Sequence, residues 1–122
     1  MSHSTEFYLV RRMFAAFDAK EVSALADVVT DDVRLRLGNA PMVEGKSAFV
    51  AAVNAFLGSV TGTRHEFLNL WRAGHTVIAE FDVRYTRLDG GKVTLPCCNV
   101  FNVRDGLVSE YRSYMDATPV YE

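Results

Sequence analysis

Apolar residues return every three or four positions at the start of the chain: Phe7, Val10, Met13 or Phe14, and Phe17. That is the period of an amphipathic helix. Ser4 or Thr5 can cap it, and Glu6 suits its first turn. Val22, Leu25, Ala26 and Val29 predict a short second helix, closed by Thr30-Asp31-Asp32. The pattern then changes period. In Val33 to Leu37, Val33, Leu35 and Leu37 alternate with Arg34 and Arg36, which predicts a half-buried strand. Gly38, Asn39 and Pro41 mark a loop. A longer helix follows from about Lys46 to about Val60, with Phe49, Val53, Phe56 and Val60 as its apolar stripe and Gly58 and Gly62 at its exit.

From Thr63 onward the chain reads as extended. Four strands are predicted, over RHEFLNLW, TVIAEFDVRYTRL, KVTLPCCNVFNV and LVSEYRSYMD. They are separated by turns at Ala73-Gly74, Asp89-Gly90-Gly91 and Arg104-Asp105-Gly106, where glycine supplies the positive φ that tight hairpins need. Short hairpin links make the four an antiparallel meander. Helices first and strands afterwards imply an α+β fold. In the second of these strands Val77, Ala79, Phe81, Val83 and Tyr85 share one face, expected to pack on the helices. Ile78, Glu80, Asp82, Arg84 and Thr86 share the other, expected to meet solvent or a partner subunit.

The chain has 122 residues, 49% hydrophobic and 23% charged, which suits one globular domain spanning 1–122. The net charge of −2 and the lack of a Lys/Arg cluster argue against nucleic-acid binding. No apolar run approaches the ~20 residues that span a bilayer, so no membrane partner is expected. The N-terminal stretch lacks the charged-then-apolar order of a signal peptide, so a cytoplasmic location is expected. Cys97 and Cys98 are adjacent and alternate in direction along a strand, which disfavours a disulfide between them. Phosphate-loop, C-x-x-C, H-x-x-x-H and G-x-S-x-G patterns are missing from the sequence, so no metal or other cofactor is implied.

The order of elements, with FAAFDAKEVSALADVVTDDVRLRLG, PMVEGKSAFVAAV and NVFNVRDGLVSEYRSYMD as its most telling stretches, resembles the nuclear transport factor 2-like superfamily. The branch it looks like is the SnoaL-like and ketosteroid-isomerase-like one. The resemblance implies a curved antiparallel sheet wrapped around the N-terminal helices, a cone-shaped α+β barrel whose open end holds a small, mostly apolar molecule. It also implies a homodimer through the outer sheet face. Members include isomerases, cyclases and epoxide hydrolases, and fold alone does not choose among them. The positions matching the ketosteroid isomerase groups are Met13, Leu37 and Cys98, none of which can act as that base or oxyanion donor. Of the epoxide hydrolase pattern, an acidic residue near the end of the last strand is retained as Asp116, whereas the paired positions fall on Phe81 and Val83.

Alternation in the last strand groups Arg112, Tyr114 and Asp116, and the epoxide hydrolase resemblance turns that face inward. Asp116 is then the expected general acid or base and Tyr114 a hydrogen-bond donor, with Arg112 placed to pair with Glu110 or Asp116. On the third meander strand Cys98, Val100 and Asn102 share the face expected to line the pocket; Asn99 or Asn102 is suited to bond a ligand. The helical and remaining strand walls are expected from Met13, Phe17, Leu35, Leu37, Phe56, Phe81, Val83 and Tyr85. Histidine as a residue type changes charge near neutrality, which makes His65 a candidate second proton-transfer group; it shares parity with Phe67, Asn69 and Trp71. The expected function is a pocket protein for an apolar or polyketide-like molecule, acting as a cofactor-free isomerase, cyclase or hydrolase. The alternative is a non-catalytic ligand-binding or dimeric scaffolding module.

Overall fold

The periodic N-terminal stretch folds as helix α1, Thr5–Asp18, in the computed structural model, which describes residues 5–122. The proposed cap Ser4 lies outside the described residues. Helix α2 spans Val22–Ala26, strand β1 Val29–Leu37, strand β2 Val43–Glu44 and helix α3 Lys46–Gly58. Strands β3 Gly62–Ala73, β4 Thr76–Thr86, β5 Lys92–Arg104 and β6 Leu107–Tyr114 form the meander, and a short helix α4, Thr118–Tyr121, follows. The six strands make one curved, unclosed sheet in the order β2-β1-β6-β5-β4-β3. All pairings are antiparallel except β1 with β6, which run parallel.

Three local expectations are corrected. Val29 to Asp32 do not close α2; they begin β1, where Val29 pairs with Val108. The β-branched run Val28-Val29-Thr30 favours extended backbone. Part of the expected loop pairs as β2 against Arg34 and Leu35. The C-terminal residues after Tyr114 leave the sheet instead of extending β6.

The sheet's concave face packs on α1 and α3. Phe14 is the hub, with ring contacts to Phe17, His65, Phe67, Phe81, Phe101 and Tyr111. Along β4, Val77, Ala79, Phe81, Val83 and Tyr85 are all buried, as the alternation predicts.

Two bulges decide what the other strands present. In β3, Phe67 pairs with Phe81 but Asn69 pairs with Glu80, so Leu68 is an extra residue. His65 and Phe67 therefore face the core, while Asn69 and Trp71 share the outer face with Glu80 and Ile78. The expected single face of His65, Phe67, Asn69 and Trp71 is thus split. In β6, Val108 pairs with Val103 and Glu110 with Asn102, leaving Ser109 extra. Its Oγ donates to the Asn102 carbonyl at 3.2 Å. An extra residue reverses which side chains face inward. Tyr111 and Ser113 are buried, and Arg112 and Tyr114 lie on the outer face, opposite to expectation. On β5 the inward residues are Cys97, Asn99, Phe101 and Val103, so Cys98, Val100 and Asn102 also face outward.

Candidate active site

Inward residues of the sheet, the end of α1, α3 and the C-terminal segment enclose a cavity of about 580 Å³. Phe17, Leu37, Phe56, Tyr85 and Met115 supply much of its apolar wall, and Gly38, Asn39 and residues 116–118 with Tyr121 complete the rim. Gly38 has a φ of +56°, and a Cβ there would stand 3.3 Å from the Met115 carbonyl oxygen. Its amide donates to the Ser113 carbonyl at 3.0 Å. A side chain would strain both the backbone and this approach.

The first polar group of the cavity is built around Asp18, at the C-terminal end of α1. Its carboxylate accepts from Thr63 Oγ1 at 2.9 Å, from the His65 amide at 2.7 Å and from His65 Nδ1 at 2.6 Å. Burial alone would raise the Asp18 pKa; the bonds and charge offered by His65, with Thr63 added, outweigh it and hold the carboxyl below its ordinary value. An ionised carboxylate only accepts, so Nδ1 carries the proton in this contact, and the lone pair of the uncharged form of the ring is on Nε2. The rings of Phe14, Phe17 and Phe81 pack around the imidazole, with centroids 4.6, 5.3 and 5.2 Å away. The His65 side chain is 5% exposed and lines the cavity.

The second polar group lies on β5 and β6. Cys97, Asn99, Tyr111 and Ser113 are all buried and all line the cavity. Burial pushes the Tyr85 and Tyr111 phenols and the Cys97 thiol up from their ordinary values, so all three keep their protons at neutral pH. No lysine or arginine stands among the described lining residues.

Phe17, Leu37, Phe56, Tyr85 and His65 are placed on the cavity. Met13, Leu35, Phe81 and Val83 are buried in the core and do not line it. Cys98, Val100, Asn102 and Arg112 are outside it because of the strand parities above. Tyr114 is 55% exposed on the outer face and cannot donate into the cavity. Asp116 touches the cavity only as an exposed rim residue, where its Oδ1 accepts the Thr118 amide at 3.0 Å. Hydrogen bonds from Thr118 hold its pKa below the ordinary value, the reverse of the raised value a buried acid/base would have. Arg112 pairs with Glu110 at 3.1 Å and not with Asp116. Asp18, Cys97, Tyr111 and Ser113 were not singled out from the sequence. The signal for Asp18 was present: an acidic residue in a helix's last turn opposes the helix dipole and needs a reason to be there.

A SnoaL-like domain model matches residues 10–111, so the chain belongs to the SnoaL-like family of the nuclear transport factor 2-like superfamily. Among solved structures, one similar to it is a nuclear transport factor 2-like protein of unknown function from Burkholderia pseudomallei. The two are 16% identical, the match covers 96% of this chain and 95% of that one, and the TM-score is 0.88. An epoxide hydrolase of the LEH-like type from M. tuberculosis is 18% identical over 96% of this chain and 86% of its own, with a TM-score of 0.81. A protein from Xanthomonas campestris pv. campestris, provisionally assigned as a polyketide cyclase, is 23% identical over 94% and 93%, with a TM-score of 0.80. A search of curated proteins gives no significant match. At these identities the likeness carries the fold and not the chemistry. No described helix is long and apolar enough to cross a membrane.

Proposed function

We propose that this chain, acting over 1–122 as one unit, binds a small, uncharged and mostly apolar molecule in the cavity and catalyses cofactor-free proton transfer on it. His65 is the general base and Asp18 its positioning partner. One observation carries the reading: Nδ1 is committed to Asp18 at 2.6 Å, so Nε2 is the nitrogen left for a ligand in a chamber that His65 lines among aromatic rings. A held tautomer is what a histidine base needs. Proton abstraction next to a carbonyl is the elementary step common to isomerases and cyclases. The polyketide-like class remains the substrate proposed, and the proposed setting is a homodimer in the cytoplasm. Asp116 and Tyr114, the pair first proposed as catalytic, have less support than His65 and Asp18. One is an exposed cap on the Thr118 amide and the other faces away.

The test is deuterium exchange of the methyl protons of 2-acetylnaphthalene in D₂O, followed by NMR. General-base catalysis contributes about 10²-fold or more, so His65→Ala should lose about that much and Asp18→Asn a large part of it. Asp116→Asn should exchange as the unmodified protein does. No exchange above the solvent rate by the unmodified protein would favour the second reading, a ligand-binding or scaffolding module. That reading draws on Met13, Leu37 and Cys98 standing at the ketosteroid isomerase positions.

A further inference from the structure

The four buried polar residues on β5 and β6 form a chain of hydrogen bonds with one direction. Cys97 Sγ donates its proton to Asn99 Oδ1 at 3.2 Å. The sulfur has no second proton, so in its 3.6 Å contact with Ser113 Oγ the serine is the donor. Asn99 Nδ2 then donates to the Tyr111 hydroxyl oxygen at 3.3 Å. Every step runs from Ser113 through Cys97 and Asn99 to Tyr111, and the Tyr111 proton is left over. Among the described residues it meets no acceptor. Tyr111 is 3% exposed and lines the cavity, so water outside the protein does not take that proton. A buried donor without an acceptor is costly unless a ligand or enclosed water completes it.

We propose that Tyr111 is the ligand-orienting donor of the cavity, and that its ligand is an uncharged molecule presenting a carbonyl-type oxygen. The chemistry of the wall narrows the choice. An anionic oxygen would find no lysine or arginine there, and the charged side chain it would meet is the Asp116 carboxylate at the rim. Asn99 Oδ1 is already occupied by Cys97, so this end of the cavity offers protons more than lone pairs. Tyr85 adds to it: its hydroxyl donates to Met115 Sδ at 3.2 Å, a weak thioether acceptor that a carbonyl oxygen readily replaces. Both tyrosines line the same cavity as Cys97. A ligand carbonyl held there leaves the rest of the molecule among Phe17, Phe56 and Leu37.

This inference rests on the cavity being the ligand site, and it fails separately from the base assignment. The probe is 2-acetylnaphthalene labelled with ¹³C at the carbonyl, compared with 2-ethylnaphthalene and 2-naphthoate. The ketone is expected to bind about two- to tenfold more tightly than the hydrocarbon, the effect of one hydrogen bond, and more tightly than the carboxylate. Its carbonyl stretch in isotope-edited infrared spectra should move to lower wavenumber on binding. Tyr111→Phe should reverse most of that movement and of the preference, and Asn99→Leu should reduce the movement while keeping the phenol. His65→Ala should slow proton exchange by about 10²-fold and leave the stretch where the unmodified protein puts it. An unmoved stretch in the unmodified protein would overturn the proposal, because Tyr111 would then be donating to an Asn99 amide turned the other way. Equal binding of ketone and hydrocarbon, or no binding of the ketone at millimolar concentration, would overturn it too.

Discussion

Asp18 sits where a helix end offers it nothing. The last turn of α1 exposes carbonyl oxygens, which favour cations, and only the three bonds from Thr63 and His65 keep a carboxylate there. Those bonds make its stability contribution depend on pH in a definite sense. The native pKa lies below the ordinary value of 3.8. The contribution is therefore complete above that ordinary value and is lost as pH falls through the native one. Asp18→Asn should cost about 2 kcal/mol at pH 7, the order expected for hydrogen bonds to a charged group, and progressively less below about pH 4. Urea unfolding of both proteins at pH 7 and pH 3 measures this. A difference that stays constant with pH would mean the carboxylate is not the ionised partner of His65. Of this site, His65 was legible because its residue type announces proton transfer. Asp18 was marked only by its unfavourable place in a helix's last turn; its pairing with His65, 47 positions away, was not legible, because single-sequence periodicity carries no information across that distance.

At the scale of elements, periodicity located nearly every helix and strand, since burial on one face imposes a period of 3.6 or 2. It failed at two single residues. Leu68 and Ser109 each add one position to a strand, and each reverses the alternation beyond it. Neither looks unusual in sequence. The resemblance to epoxide hydrolases turned Arg112 and Tyr114 inward, whereas beyond Ser109 the strand buries Tyr111 and Ser113; on β5, which has no extra residue, the inward parity is that of Cys97 and Asn99 and not that of Cys98, Val100 and Asn102. Continuous β4 shows the contrast. Phe81 is wholly buried and Asp82 points outward. Phe81→Asp should cost several kcal/mol, roughly the penalty for an unpaired buried charge; Asp82→Ala should cost about 0.5 kcal/mol or less. Thermal melts that coincide would reverse the strand. The bulge makes a sharper prediction. Ser109→Ala loses one side-chain bond to Asn102, worth about 1 kcal/mol. Deleting Ser109 makes Val108 and Glu110 neighbours, which already pair with the neighbours Val103 and Asn102, so the ladder becomes regular and Tyr111 and Ser113 stay inward. The deletion variant should therefore keep a cooperative melt, with a loss of no more than the roughly 0.5–3 kcal/mol of an ordinary mutation. Loss of the cooperative melt would show that Ser109 is not the extra residue and that the faces depend on it.

At the scale of the molecule, the convex face of the sheet is where the charge is arranged. Arg64 pairs with Arg84 across β3 and β4, and Glu66 pairs with Asp82 one row along. Like charges directly opposite each other in a sheet are unfavourable, yet two such pairs stand side by side. Among the described residues none of the four has an ion-pair partner within the chain. All four border one shallow groove on that face, with Thr94. A second copy placed by a two-fold axis running across the strands, between the two rows, sets each arginine pair on the other copy's acidic pair. This is the self-complementarity of an isologous contact, and it turns the expected homodimer into a specific one. Steering by such pairs weakens with salt. We expect sedimentation equilibrium at micromolar concentration and 50 mM salt to give a dimer. The double substitution Arg64→Glu with Arg84→Glu should weaken it by about tenfold or more, because four acidic side chains would then face four others. Reversing the other row alone, Glu66→Arg with Asp82→Arg, should weaken it similarly. Mixing the two variants should restore a heterodimer, since each then supplies the sign the other lacks. A mixture that stays monomeric while the unmodified protein dimerises would place the interface elsewhere on the molecule. A monomer at every concentration would leave the convex face to solvent.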